Sequence, residues 1–310
     1  MKLISVVTPC FNEETNVREV HRQVREVFTG LPGYRLEHLF IDNASTDGTI
    51  GILRELAAQD AGVKVIINSR NFGQLRSPYH GVLCASGDAV VVLVADLQDP
   101  PQLIREFVTK WEEGFKIVVG VRSGSEERGP RAAMRRLFYR LMKRLSDVPL
   151  TSNFTGFGLY DRAVVESLRL LDEPEPYFRG LISEVGWERA EVAFQQRMRR
   201  RGVSANTFGS LVDVAVQGVT SHSRRPLRLA TYTGFALTVV TLMAVLGVAI
   251  AKLADWHGFH AGMLLLALGA YFLVSLLLLF VGILGEYVGV MHKRVQHRPL
   301  VIERERINFD

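Results

Sequence analysis

The sequence predicts an α/β fold: a mostly parallel sheet covered by helices, followed by an interfacial helix and two C-terminal membrane-crossing helices. Three observations predict it. From Leu3 to Val119, short apolar runs alternate with stretches of helical periodicity, the order that builds an open parallel sheet. Two charge-free runs follow, Leu229–Ala251 and Ala261–Gly285, of 23 and 25 residues. As helices they would reach roughly 35 and 37 Å, enough to cross a hydrocarbon core of about 30 Å. Basic residues flank the pair: Arg224, Arg225 and Arg228 precede the first run, and Lys293, Arg294 and Arg298 follow the second. The loop between them carries only Lys252, Asp255 and two histidines, so the positive-inside rule places the head and both termini in the cytoplasm.

Composition narrows the class further. The chain has 310 residues, 48% hydrophobic, with 37 Lys+Arg against 32 Asp+Glu, which excludes wholesale disorder. The mean hydropathy of +0.14 is high for a soluble protein and concentrates in the two apolar runs. The net charge of +5 is no nucleic-acid signature. It gathers between Gln195 and Arg228, where seven Arg face one acid, Asp213, and from Arg128 to Arg144, where seven Lys/Arg face none. Anionic headgroups and phosphorylated ligands are the partners such runs attract. Two cysteines, Cys10 and Cys84, exclude a disulfide framework and any cysteine-built zinc site. MKLISVVTPCFNEE is too short and too soon acidic for a signal peptide.

In order, Leu3–Pro9 is a buried strand, and Val17, Val20, Val24 and Val27 form a helical stripe. Leu39–Ile41 is the second strand, ending at Asp42; Ile50, Leu53, Leu56 and Ala57 stripe the next helix. Val63–Ile67 is the third strand, a helix runs to about Leu83–Ala85, and Ala89–Val94 is the fourth strand. Asp99 suits an N-cap and Pro100 the first helical position. Ile117–Val119 closes the series. Later, Phe208, Leu211, Val212, Ala215 and Val219 fall on one helical face, the pattern of a helix lying in a membrane interface. The expected divisions are a head over 1–204, a juxtamembrane helix over 205–228, spans over 229–253 and 261–285 around an outer loop at 254–260, and a cytoplasmic tail over 286–310.

Chemistry-bearing residues sit where the first four strands end. Strand one runs into Thr8–Glu14, strand two into Asp42–Gly48, strand three into Asn68–Gly73, and strand four into Asp96–Asp99. Each alone is ordinary turn chemistry. All four on one rim make a polar crevice at the carboxyl edge of the sheet. The chain has neither G-x-G-x-x-G nor G-x-x-x-x-G-K-[ST], which disfavours a dinucleotide fold and a P-loop. A divalent cation on Asp96 and Gln98, both oxygen donors, would hold phosphates instead.

The runs SVVTPCFNEETNV, IDNASTDGT, RNFGQ and ADLQDPP resemble glycosyltransferase family 2 enzymes of GT-A fold. NFTGFGLYDR, YFRGLISE and the two apolar runs narrow the resemblance to the polyprenyl-phosphate sugar transferases, among them the dolichol-phosphate mannose synthase and bactoprenol glucosyltransferase types. The resemblance spans nearly the whole chain. It implies a GT-A (nucleotide-diphospho-sugar transferase) head that moves a sugar, by lean glucose from UDP-glucose, onto polyprenyl (undecaprenyl) phosphate at the bacterial inner membrane, with inversion and with Mg²⁺ or Mn²⁺. It also implies a homo-oligomer, a tetramer in relatives. Pro9, Phe11 and Glu13 match the first donor motif, Asp42 the acid used toward base or ribose, and Asn71, Phe72 and Gly73 the loop under the nucleotide. Asp96 and Gln98 match the metal stretch and Arg122 the arginine beside sugar and phosphates; Ser123 to about Arg135 would be the acceptor loop. Two positions depart from the family: Val94 replaces the first acid of Asp-x-Asp, and Asn43 the second acid after strand two.

A polyprenyl monophosphate has a second pKa of about 6 by analogy with phosphoamino acids, so it attacks as a dianion with little need of a base. No histidine lies in the rim motifs, and His80 stands alone in sequence. Candidates to hold the acceptor phosphate are Arg179 and the triplet Arg199, Arg200 and Arg201, the triplet being equally compatible with a headgroup contact. Three competing readings are a processive polysaccharide synthase, which the absence of Q-x-x-R-W disfavours; a sugar nucleotidyltransferase, which would carry a Gly-rich loop where Pro9–Asn12 stand; and a membrane-anchored nucleotide-sugar sensor.

Overall fold

The structure, a computed structural model, describes residues 1–123, 154–195, 225–254, 260–296 and 298–309. In chain order its first elements are β1 (Lys2–Cys10), α1 (Val17–Thr29), β2 (Tyr34–Asp42), α2 (Thr49–Gln59), β3 (Val63–Asn68), α3 (Gly73–Cys84) and β4 (Ala89–Val92). A short 3₁₀ turn, Pro101–Leu103, leads into α4 (Ile104–Glu112) and β5 (Ile117–Arg122). From residue 154 on come β6 (Phe154–Asp161), α5 (Arg162–Leu171), α6 (Phe178–Glu184), β7 (Arg189–Phe194), α7 (Arg225–Ala254), α8 (His260–Val295) and β8 (Glu303–Ile307).

Both faces of the sheet are covered, and the strands read accordingly. Ile4 and Val6 of β1 pack with Val20, Val24 and Val27 of α1 and with Ile104 and Phe107 of α4. Val7, Leu39, Ile41 and Ile66 point the other way, onto Tyr79 and Val82 of α3 and Val164, Val165 and Leu168 of α5. Phe40, Val65 and Ile67 complete the first face against Leu53, Leu56 and Ala57 of α2. Side chains of period two, apolar on both faces, are what a doubly covered sheet requires. Helix α3 lies very close to it: a Cβ on Gly81 would come within 2.9 Å of Val7 Cγ1.

The eight strands run in the order β7-β5-β6-β4-β1-β2-β3-β8. Pairs β1–β2, β1–β4, β2–β3 and β5–β7 are parallel; β6 lies antiparallel between β4 and β5, and β8 antiparallel on β3. The chain therefore leaves β1 in one direction toward β3 and returns to its other side for β4, which makes the β1/β4 boundary a topological switch point.

Several expectations are corrected here. Asp99 does not cap a helix: Pro100 holds extended dihedrals, the 3₁₀ turn begins at Pro101 with no side-chain cap, and Asp99 is buried beside Arg122. The fourth strand ends at Val92, two residues early; Leu93 still donates to the Val7 carbonyl at 2.9 Å, and Val94 beyond it is exposed. The fifth runs on to Arg122, since β6 and β7 pair along its length. The region after the second apolar run is not simply a tail. Helix α8 continues past Gly285 to Val295, and β8 then joins the sheet of the head. The charged sequence of β8, ERERI, suits an exposed edge, where it discourages pairing with other chains.

Helices α7 and α8 contain the two apolar runs, and Gly234 of α7 lies against the Phe280 ring of α8. Among the described residues, one segment, Gly269–His292, 24 residues long, is long and apolar enough to cross a membrane by length and composition, with a mean hydropathy of 2.2 in its 18-residue window. Of the expected juxtamembrane helix, 205–224 lies outside the described residues and Arg225–Arg228 open α7; of the expected outer loop, 255–259 lies outside them.

Candidate active site

The four strands whose ends carry the motifs, β4, β1, β2 and β3, are adjacent in the sheet, so all four loops meet at one edge. The switch point lies between the end of β1, with Pro9 and Phe11, and the end of β4, with Asp96. Phe11 is 42% exposed and Val94 37%, so two apolar side chains flank this point, where a ligand would cover them.

Asn43, 7% exposed, joins the second and third strand ends. Its Oδ1 accepts from Phe72 N at 2.9 Å and Asn68 Nδ2 at 3.1 Å. Its Nδ2 donates to Asn71 Oδ1 at 2.8 Å and to the Gly73 carbonyl at 3.1 Å. Asn71 Oδ1 accepts in turn from Gly73 N at 2.8 Å. This web fixes Asn71, Phe72 and Gly73 at the start of α3, where Gly73 has φ +88°, a region open to glycine at little cost. Arg70 stacks over Phe72 at 4.1 Å from the ring centre. The amide explains the departure noted in the sequence: a carboxylate at position 43 could accept but never donate. Its role was missed because its partners lie 25 to 30 residues away.

The first two strand ends are also tied together. Asn12, at φ 56°, donates its N–H to Ser45 Oγ and accepts from Thr46 N at 2.8 Å. Glu13 N donates to Thr49 Oγ1 at 2.9 Å, and the Glu13 carboxylate takes Asn16 Nδ2 at 2.6 Å. Glu14 accepts from Gly48 N at 2.8 Å. Asp42 has no exposed surface; its two carboxylate oxygens accept from Ser45 N and Ser45 Oγ. Burial pushes its carboxyl above the ordinary range, although the Ser45 and Ala44 bonds pull it back. Asp42 therefore organises the turn from beneath rather than lying open in the crevice. Cys10, also buried, has its thiol raised by burial and by the neighbouring Asp42.

Beyond β4, Asp96 is half-buried and accepts from Gln98 N through Oδ1 at 3.1 Å. Its Oδ2 carries no hydrogen bond among the described residues. One carboxylate and one amide, with no nitrogen or sulfur donor between them, form the hard oxygen set that suits Mg²⁺ or Mn²⁺ completed by phosphate oxygens. The residues present thus fit a divalent ion arriving with a nucleotide. Behind them Asp99, 1% exposed, faces Arg122 at 3.7 Å, which ties the end of β5 to the loop after β4.

Arg179 lies at the same edge. Its Nη1 donates to the Phe154 carbonyl at 3.2 Å, and Phe154 pairs with Val121, next to Arg122; its guanidinium also stands 5.3 Å from the Tyr177 ring centre. The structure thus gathers Pro9, Phe11, Glu13, Asn71, Phe72, Gly73, Asp96, Gln98, Arg122 and Arg179 along one edge, with Asp42 beneath them. Arg199, Arg200 and Arg201 and most of the acceptor loop lie outside the described residues.

Comparison with known proteins finds relatives along nearly the whole chain. Residues 5–169 match the model of "Glycosyl transferase family 2". A Bacillus subtilis protein, "Uncharacterized glycosyltransferase YkcC", is 33% identical over 307 residues, 99% of this chain and 94% of that protein. The "Bactoprenol glucosyl transferase" of Shigella phage SfV is 33% identical over 305 residues, 98% of this chain and 99% of its own length. Among solved structures, the mannosyltransferase PcManGT from Pyrobaculum calidifontis, in complex with GDP-Man and Mn²⁺, covers 95% of this chain and 86% of its own, at 18% identity and a TM-score of 0.46.

Proposed function

We propose, for a chain that belongs to glycosyl transferase family 2 and is a glycosyltransferase of GT-A-like α/β fold, that it transfers a hexose, glucose first among candidates, from a UDP-sugar to polyprenyl phosphate at the cytoplasmic face of a membrane. What carries this reading is the meeting of four polar loops at the switch point, with Asp96 at its centre. It does so in a chain that aligns end to end with a bactoprenol glucosyl transferase.

In this reading the Asn43 web presents Phe72 and Gly73 to the nucleotide, and Phe11 covers it from the β1 side. Asp96 and Gln98 would hold the Mg²⁺ or Mn²⁺ ion, which when bound neutralises the leaving diphosphate. Arg122, braced by Asp99, adds positive charge on the β5 side of the same group. Arg179 and the Arg199–Arg201 triplet are the candidates to hold the acceptor phosphate in line with the anomeric carbon. The phosphate oxygen forms the new bond as the sugar–diphosphate bond breaks, which inverts the anomeric centre. UDP leaves with the electron pair of that bond, so no general base is required of the protein.

Anchoring is read from α7 and α8 together. Pairing of β8 with β3 holds the chain beyond α8 against the head. A single crossing would separate them, so the pairing supports an even number of crossings, with α7 as the second span. Mass spectrometry of lipid products, from the purified full chain given undecaprenyl phosphate and a panel of nucleotide-sugars, tests the proposal. A polyprenyl monophosphate hexose is expected with UDP-glucose. Intact donors throughout the panel, with a normally folded protein, would sink it.

A further inference from the structure

Between α3 and β8, three donor atoms of different chemistry converge. His80 and Cys84 stand four residues apart on α3, and Glu303 reaches them from β8, more than 200 residues later in the chain. Ligand-type atoms of all three lie within 4.8 Å of one another. Glu303 Oε1 is 2.5 Å from His80 Nε2, and Cys84 Sγ is 3.4 Å from the same nitrogen. A relay would use the two ring nitrogens for two partners; here one nitrogen faces both. A single Nε2 offers one proton or one lone pair. If it donates to Glu303 it has nothing for the thiol, and if it accepts from the thiol it meets the carboxylate lone pair against lone pair. Hydrogen bonding therefore satisfies only one of the two contacts at a time, whereas a cation between them satisfies all three donors.

We propose that His80, Cys84 and Glu303 form a binding site for a thiophilic divalent cation of the Zn²⁺ class, which fastens the C-terminal strand to α3. The donor set of imidazole, thiolate and carboxylate is that of zinc and not of magnesium or calcium. Zinc bonds of about 2.0–2.3 Å in a tetrahedral shell set ligand atoms roughly 3.3–3.6 Å apart. The sulfur–nitrogen spacing already meets this, and the Glu303 contact need open by under an ångström. Cys84 enters as thiolate and gives its proton to solvent, and water fills the fourth position. Arg306 now donates through Nη2 to Glu303 Oε1 at 2.7 Å and to Cys84 Sγ at 3.6 Å, and through Nε to Glu303 Oε2. On metal binding it keeps the Oε2 contact, which orients the ligating carboxylate, and gives up the sulfur.

The consequence is mechanical. Helix α3 begins at Gly73, which the Asn43 web holds, and β8 follows α8 by a few residues. A metal at this point would tie the long C-terminal helix to the element that starts at the crevice.

The test is a Co²⁺ titration of the tag-free full chain in detergent, reading the thiolate-to-cobalt charge-transfer absorption. The expected result is a saturable 1:1 band, abolished by Cys84→Ser and His80→Ala, retained in Cys10→Ser and displaced by Zn²⁺. Glu303→Gln should weaken binding at least tenfold. Far-ultraviolet circular dichroism checks the fold of each variant. Absence of the band in the wild-type chain, or its persistence in Cys84→Ser, would overturn the proposal. This readout needs no sugar transfer, so it stands apart from the fate of the proposed activity.

Discussion

The side-chain amide of Asn43 donates to Oδ1 of Asn71 at 2.8 Å, so the end of β2 holds the loop that opens α3. The bond is directional. Asn71 Oδ1 already receives Gly73 N, and only a donor at position 43 fits against it.

Asn43→Asp keeps the size but turns two donors into acceptors facing Asn71 Oδ1 and the Gly73 carbonyl. Leaving such buried groups unsatisfied costs about 1–3 kcal/mol. The variant should melt several degrees lower and bind UDP at least tenfold more weakly. Thermal melts and calorimetry read both; unchanged values would mean that the web does not shape the nucleotide site.

Asp96→Asn is nearly isosteric and removes the carboxylate at the centre of the rim. Losing several kcal/mol of charge stabilisation lowers transfer on the order of a hundredfold or more, with the melting temperature unchanged. Val94→Asp should fold, since Val94 is 37% exposed, and should lower the Mg²⁺ or Mn²⁺ concentration needed for half-maximal rate. Near-normal activity in Asp96→Asn would remove that residue from the metal assignment.

Stability should decline in mild acid because of a buried histidine pair. His21 Nδ1 and His38 Nδ1 are 3.1 Å apart, and His38 Nε2 lies 3.0 Å from Thr8 Oγ1. Burial lowers the pKa of both, and for His38 the facing His21 lowers it further. On His21 Arg25 also lowers the pKa, while Asp60 raises it. A folded pKa below the unfolded value of about 6.5 means that the unfolded chain binds more protons, so stability present at neutral pH falls as pH drops through that value. Melting temperatures of wild type and His38→Gln from about pH 7.5 to 5.5 check this; the variant should show the shallower slope. Parallel curves would mean that the pKa of His38 is the same in the folded and unfolded chain.

Reporters fused after Asp310 and inserted between Asp255 and His260 should lie on opposite sides of the membrane, with the C-terminus cytoplasmic. Deleting 303–310 as well would test whether β8 stabilises the head, through lowered thermal stability and a β3 edge more open to hydrogen exchange. Reporters on one side would contradict two crossings.

Read alone, the sequence determined the alternation of β1 to β5 with their helices, the four rim motifs in order and the two long apolar runs. Each follows from local periodicity or turn chemistry, because a side chain's burial repeats every 2 or 3.6 residues whatever its distant partners are. Tertiary structure alone decided that β6 enters antiparallel between β4 and β5, and that ERERI returns to cover β3. It also decided that Asp99 faces Arg122 instead of capping a helix, and that His80, four residues before Cys84 on α3, meets a glutamate from the far end of the chain. The pattern of apolar residues records that a position is covered. Which strand, carboxylate or ring covers it depends on sheet order and on hydrogen bonds spanning tens to hundreds of residues, and these exist only once the chain has closed on itself.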